Sequence, residues 1–198
     1  MSVRFGLYLL RKNLFPKIQL LHALFIYSLF YAGIFSFDQM QEKVFSILFK
    51  GKKADRVYKE AEEFCNSVYD SVVRSQIYSE LESLRSSGAE VILLSSSPDF
   101  IVKAFAKKLR IERYFASKYL VNSAGEFIAV EPMNGAAKVK LFSTFTKQQK
   151  SIAFSDSFSD LELLQKVDVP VAVHPDRKLR RYAQKHKWRI LGEEKACV

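Results

Sequence analysis

Val91-Ile92-Leu93-Leu94-Ser95-Ser96-Ser97-Pro98 is the stretch that decides the fold. Four apolar residues in an unbroken run predict a strand buried on both faces, the form that parallel strands take. The serines and the proline end the run, and a helix starts at Asp99 with Ile101, Phe105 and Leu109 inward. Before it, Ile77, Leu81 and Leu84 mark a helix that stops at Gly88. The alternation continues downstream. Tyr119-Leu120-Val121, Asn122-Ser123-Ala124-Gly125 and Phe127-Ile128-Ala129-Val130 predict a β-hairpin. Gly135 to Phe145 is a helix with Val139 and Phe142 buried, and Ser151 to Phe154 a strand. Leu161, Leu163 and Leu164 start another helix, Val169 to Val173 is a strand, Lys178 to Lys187 a basic helix, and Trp188 to Leu191 a last strand. Strand–helix alternation argues for an α/β fold, a Rossmann-like parallel sheet with helices on both faces. In such sheets ligands sit beyond the carboxyl ends of the strands. Ser95 and Asp156 fall at such ends.

Residues 6–75 read as all-helical, with no strand signal. Ile18 to Phe37 carries no Asp, Glu, Lys or Arg over 20 residues, and Arg11, Lys12 and Lys17 precede it. A helix needs ~20 apolar residues to span a bilayer, so membrane association through this run is one reading, with the N-terminus cytoplasmic. Gln19, His22, Ser28, Gly33 and Ser36 lie inside the run, and polar groups are costly at the bilayer centre. The favoured expectation is therefore two helices of a buried bundle, broken near Gly33. Phe37, Met40, Val44, Ile47 and Leu48 form the next helical stripe, and Val57, Ala61, Phe64, Val68 and Val72 another over Ala54 to Val73.

The 198 residues suggest one domain, or one with an insertion. At 48% hydrophobic and 26% charged the chain is globular, neither disordered nor fibrous. The net charge of +10 favours anionic partners without choosing among phosphate esters, nucleic acid and acidic lipid. Arg177, Lys178, Arg180, Arg181, Lys185, Lys187 and Arg189 form a basic stretch. Without interleaved aromatics it reads as a solvated helix face, and no nucleic-acid partner is expected. Cys65 and Cys197 make no disulfide framework or metal knuckle, which fits a reducing compartment. His22, His174 and His186 have no metal spacing between them.

Each candidate site residue has an ordinary structural reading beside its functional one. A hydroxyl at the Ser95 strand end, followed by backbone N–H groups that open a helix, suits an anion; Ser97 or Asp99 could equally cap that helix. Asp156, directly after a strand, and Asp160, four residues on, can share a hard cation such as Mg²⁺; Asp160 could instead cap the next helix. Lys138 opens a helix, an ordinary place for a solvated lysine, yet there it could neutralise a phosphate.

Together, VILLSSSP, GAAKVK, AFSDSFSDLELL and VAVHPDRKLRRYAQKHKWRIL occur in a specific order. In that order the chain resembles the haloacid dehalogenase-like superfamily, in particular its phosphoserine-phosphatase-like subfamily IB, over about Gln76 to Leu191. The resemblance implies a Mg²⁺-dependent phosphomonoester hydrolase working through an aspartyl-phosphate. It implies that Ser95, with Ser96 beside it, binds the substrate phosphate, that Lys138 steadies nucleophile and phosphoryl charge, that Asp156 is a Mg²⁺ ligand, and that Asp160 supports the metal. It also implies that residues 1–75 are a helical cap region and 76–198 the α/β core.

One part of the family pattern is missing. Its first motif is a strand ending in DxDGT, whose first Asp is the nucleophile and second the general acid/base. The first acid here is Asp38, in a helical region, and no second Asp follows two positions later. Three readings compete: a start internal to a protein about 15–30 residues longer, a truncated gene, or a catalytically inactive phosphate-binding or membrane-associated protein. The first is preferred because the other site residues are all present. The expected partner is a small-molecule phosphomonoester and the expected location cytoplasmic, with membrane association as the alternative. Without its first strand the chain is expected to be marginally stable or dependent on a partner.

Overall fold

The computed structural model describes residues 2–12, 14–145 and 150–192; Cys197 lies outside them. The chain forms two compact units, Met1–Met133 and Asn134–Val198.

The first unit opens with helices α1 (Ser2–Arg11), α2 (Lys17–Tyr31), α3 (Phe37–Leu48), α4 (Ala54–Val72) and α5 (Ser75–Ser86). Strand β1 (Ile92–Pro98), helix α6 (Asp99–Leu109) and strands β2 (Arg113–Val121) and β3 (Phe127–Glu131) follow. The uncharged run Ile18 to Phe37 holds one helix, α2, and only the first residue of α3, where two helices were expected. It breaks where Gly33 takes a left-handed φ of +77°, and Ser36 then caps α3 through a reciprocal pair with Gln39. The expected burial of that run is corrected: only Leu20 and Ala23 of α2 are buried, while Ile18, Leu21 and Phe25 are exposed. At 15 residues α2 is about 22 Å long. No helix among the described residues is long and apolar enough to cross a membrane.

One core runs through this unit. Phe5 and Leu9 of α1, Phe45 and Phe49 around the end of α3, and Phe64 of α4 pack with Phe100 and Ile101 of α6 and with Tyr119 and Phe127 of the hairpin. Phe100 touches Phe5, Phe49, Tyr58, Tyr119 and Phe127, ring to ring. By compactness the chain divides at Met133, because the helices and the hairpin share this interior.

The second unit holds α7 (Gly135–Phe142), β4 (Ile152–Ser155), a 3-10 turn at Phe158–Asp160, α8 (Leu161–Leu164), β5 (Val169–Val173), α9 (Arg177–Lys185) and β6 (Arg189–Leu191). Its apolar centre is small: Leu164, Ala172, Leu179 and Ala183. In α7 the expected burial is reversed. Val139 and Phe142 are half-buried, and Lys138 is the residue inside. The basic helix α9 buries Leu179 and Ala183 and exposes Arg177, Lys178, Arg181 and Lys185, a solvated face.

The strands form two ladders of three. In one, β2 lies between β1, parallel, and β3, antiparallel; in the other, β5 lies between β4 and β6, all parallel. The expectation that Val91 to Leu94 is fully buried is corrected, since all four are half-buried. The reason is that, among the described residues, β1 has a ladder partner on one side only, β2. The strand also continues through the serines to Pro98, with a register shift after Leu94. β4 is likewise an edge, with Ile152 exposed, whereas Val171 and Ala172 of the central β5 are fully buried.

Candidate active site

Two of the predicted residues, Lys138 and Asp160, meet in the second unit, at the carboxyl end of β4. Asn134 caps α7 by accepting the Ala137 N–H at 2.8 Å. This sets Lys138 in the first turn, where it is 5% exposed. A buried ammonium needs a partner. Lys138 Nζ donates to Asp160 Oδ1 at 2.8 Å, and Ser155 Oγ donates to Asp160 Oδ2 at 2.7 Å. Ser155 Oγ in turn accepts the Ser157 N–H at 3.2 Å, which folds the chain back after the strand. Asp160 stands at the start of α8 but makes no side-chain cap there; its carboxylate is spent on Lys138 and Ser155. Gly135 makes the approach of α7 feasible, because a Cβ there would stand 2.6 Å from the Ser159 carbonyl oxygen.

Asp156 is different. It is exposed, one residue beyond β4. Its backbone is fixed: its carbonyl accepts the Asp176 N–H at 2.8 Å. The Asp176 carboxylate accepts the Phe158 N–H at 2.6 Å and caps α9 through the Lys178 and Leu179 N–H groups, both at 2.9 Å. One residue therefore ties the 156–158 turn to the following helix.

A hard divalent cation takes about six oxygen ligands. Both oxygens of Asp160 are engaged, and among the described residues no group of three acidic, His or Cys side chains could hold a metal. Asp156 has the right chemistry for Mg²⁺, but the described donor set is incomplete without another carboxylate.

Ser95 and Ser96 lie in the first unit, within β1 rather than beyond it. Ser95 Oγ accepts the Ser97 N–H at 3.2 Å, which leaves the hydroxyl proton free to donate. The Ser96 carbonyl accepts from Gln41 Nε2 at 3.1 Å and from Ser117 Oγ at 3.0 Å. Neither Ser97 nor Asp99 caps α6. Asp99 turns inward, accepts from Tyr58 Oη at 3.2 Å and from the Phe100 N–H at 2.8 Å, and burial raises its carboxyl pKa. Burial, with Asp99 beside it, also raises the Tyr58 phenol.

Sequence reasoning missed Ser155, Gly135 and Asp176. Ser155 gave a signal as a hydroxyl at the last strand position before an acid. Asp176 gave one as an acid immediately before a helix. Gly135 gave none that separates it from an ordinary helix start.

Among solved structures, the chain is similar to a protein of unknown function from Bordetella pertussis Tohama I, at 18% identity, TM-score 0.86, covering 96% of this chain and 91% of that one. It is also similar to a phosphoserine phosphohydrolase-like protein from Francisella tularensis, at 22% identity, TM-score 0.62, covering 94% and 87%. These likenesses concern the fold. Among curated relatives, the "Inhibition of morphological differentiation protein" of Streptomyces azureus is 29% identical over 171 residues, 82% of this chain and 62% of that protein. A histidinol-phosphatase of Neisseria meningitidis serogroup C is 26% identical over 123 residues, 57% and 55%. The chain thus spans 62% and 55% of the length of these relatives. Residues 1–165 match the haloacid dehalogenase-like hydrolase family. With that match over most of its length, the chain belongs to the haloacid dehalogenase-like hydrolases.

Proposed function

We propose that the chain is the greater part of a Mg²⁺-dependent phosphomonoester phosphatase whose nucleophilic aspartate is contributed from outside these 198 residues. The observation that carries this reading is the Lys138–Asp160–Ser155 cluster, with its lysine buried, next in the chain to the exposed Asp156. A lysine held at 6% side-chain exposure by an ion pair is a fixed positive charge at a strand end, and phosphoryl transfer depends on fixed charge around the phosphoryl oxygens. Support also comes from the phosphatase named among the curated relatives, and from β1 and β4, each a half-exposed edge where a parallel α/β fold ordinarily buries its strands.

In this reading Ser95, with Ser96 beside it, donates hydrogen bonds to the substrate phosphate. Lys138 balances the charge of nucleophile and phosphoryl group, and Asp160 holds the lysine in place. Asp156 holds Mg²⁺ together with the missing carboxylate; the ion supplies charge neutralisation on the phosphoryl oxygens. Residues 1–75 serve as the cap and 76–198 as the core. The reaction breaks the ester P–O bond as an Asp–O–P bond forms. The leaving oxygen takes a proton from the general acid, and water then cleaves the acyl phosphate.

The test is hydrolysis of an aryl phosphate with Mg²⁺. Two forms are compared: the chain as it stands, and the chain extended in frame at its N-terminus by a strand ending in DxDGT. Turnover is expected in the extended form alone, with Asp156→Asn lowering kcat by 100-fold or more, on the order seen when one transition-state charge contact is lost. An extended form that folds, binds Mg²⁺ and hydrolyses nothing overturns the proposal.

A further inference from the structure

The apolar face that α2 and α1 leave uncovered has no role in the chemistry above. On α2, Leu20, Ala23 and Tyr27 face the core, while Ile18, Leu21 and Phe25 lie on the opposite side at 57%, 60% and 60% exposure. Their spacing of three and four residues makes one stripe. On α1, Val3 and Leu7 are exposed, four residues apart. The two helices meet closely at Gly6, where a Cβ would stand 3.3 Å from Leu20 Cδ1. Val3 and Leu24 line one narrow apolar cleft with Gly6 and Leu20, so the stripes are continuous. Tyr31, the last residue of α2, and Ile34 beyond it are also exposed.

On α1 and α2 themselves the charges have one sign, and the acids against α1 are Glu60 and Glu63 of α4, which accept from Tyr8 and Lys12. Residues 1–37 contain no Asp or Glu. Lys12 is paired with Glu63 of α4. Arg4, Arg11 and Lys17 are exposed, and none of the three has an ion pair among the described residues. On α1, Arg4 and Arg11 flank Leu7 at three- and four-residue spacing, on the side that carries Val3 and Leu7.

We infer that this face docks on the surface of an anionic lipid bilayer, with the helices lying in the interface plane. An interfacial helix buries its apolar side to about 5–10 Å and sets cations against acidic headgroups. Here the core of the first unit packs the side of α2 that water would otherwise cover. A second copy of the chain fits less well, because a two-fold contact through this face would bring Arg4, Arg11 and Lys17 of both copies together with no acid between residues 1 and 37. Neither observation depends on the phosphatase reading.

The test is co-sedimentation of the full chain with vesicles of equal parts phosphatidylglycerol and phosphatidylcholine, and with vesicles of phosphatidylcholine alone. Binding is expected to the anionic vesicles, to weaken steeply with added salt, and to be much weaker to phosphatidylcholine. Arg4→Glu/Arg11→Glu/Lys17→Glu should weaken it about 100-fold, and Leu21→Ser/Phe25→Ser about tenfold or more. Amide exchange on the unmodified chain should slow over residues 2–31 when anionic vesicles are present, which locates the contact even if a variant fails to fold. Three outcomes overturn the inference: no vesicle binding by the folded chain; binding with exchange protection elsewhere; or no vesicle binding together with a concentration-dependent dimer that Leu21→Ser/Phe25→Ser dissolves.

Discussion

Phe100 in the first unit and Lys138 in the second are nearly equally buried, at 1% and 5% exposure, and they reach that state by opposite means. Phe100 lies against five other aromatic rings, and its contribution is spread over many weak contacts. Lys138 is held by one ion pair, and Asp160 takes one further hydrogen bond from Ser155. The first unit has a large apolar interior shared by helices and hairpin. The second has four small or branched residues at its centre and relies on polar ties. A spread interior gives stability without directing any group. A polar tie gives less stability but sets an ammonium at a defined place, and the place where chemistry is proposed is the one built from polar ties.

The comparison breaks most visibly at Phe100. Phe100→Ala should cost about 4 kcal/mol, transfer and cavity terms together, read as a large fall in Tm by circular dichroism. A loss under about 1 kcal/mol would mean that the aromatic cluster collapses freely and is not a packed interior. At Lys138 the expectation has two parts. Lys138→Met should cost about 3 kcal/mol, because it leaves the Asp160 carboxylate buried with Ser155 as its remaining side-chain partner. Lys138→Met combined with Asp160→Leu should recover most of that loss, since a buried pair is often replaceable by apolar residues. If the double variant is as unstable as the single one, the pair is not a self-contained tie.

A smaller effect tests how the tie is positioned. Gly135→Ala introduces a Cβ 2.6 Å from the Ser159 carbonyl oxygen, a backbone atom that cannot swing aside. About 1–2 kcal/mol should be lost, and in an active extended form kcat should fall more than stability alone explains. A neutral outcome would show that α7 and the 3-10 turn shift apart without consequence.

Much of this was legible in the sequence. Hydrophobic period and glycine stops marked the helices and strands, down to the break near Gly33 and the strand at Val169–Val173, because a local pattern fixes local structure. The signal failed where partners decide burial. Val91 to Leu94 has the composition of a fully buried strand and is half-buried, since composition does not report whether a neighbour occupies each ladder edge. Ile18, Leu21 and Phe25 have the composition of a core and are exposed for the same reason. At the candidate site, Asp156 and Asp160 were marked by type and position, and Lys138 by the family resemblance of the GAAKVK segment. That Asp160 faces Lys138 depends on α7 meeting the 3-10 turn, 22 residues away along the chain, and no spacing rule carries that.

The smallest effect concerns Asp99, the polar exception inside the aromatic unit. Its carboxylate is half-buried beside Tyr58, Phe100 and Tyr119, and desolvation raises its pKa despite the hydrogen bonds it accepts. A folded pKa above the unfolded value means that the folded chain holds this proton more tightly. The associated stability is therefore complete below about pH 4, the unfolded value, and is lost as pH rises through the folded value. At neutral pH the charged carboxylate opposes folding. Asp99→Asn keeps an acceptor for Tyr58 and removes the charge, so Tm at pH 7 should rise by up to about 3 °C. That gain should shrink as pH is lowered through the folded value and Asp99 takes up its proton. If Tm instead falls at pH 7 and the gap stays constant with pH, the hydrogen bonds to the charged carboxylate outweigh its desolvation. Asp99 would then be a polar tie of the same kind as Lys138, and the contrast between the two units would be one of number and not of kind.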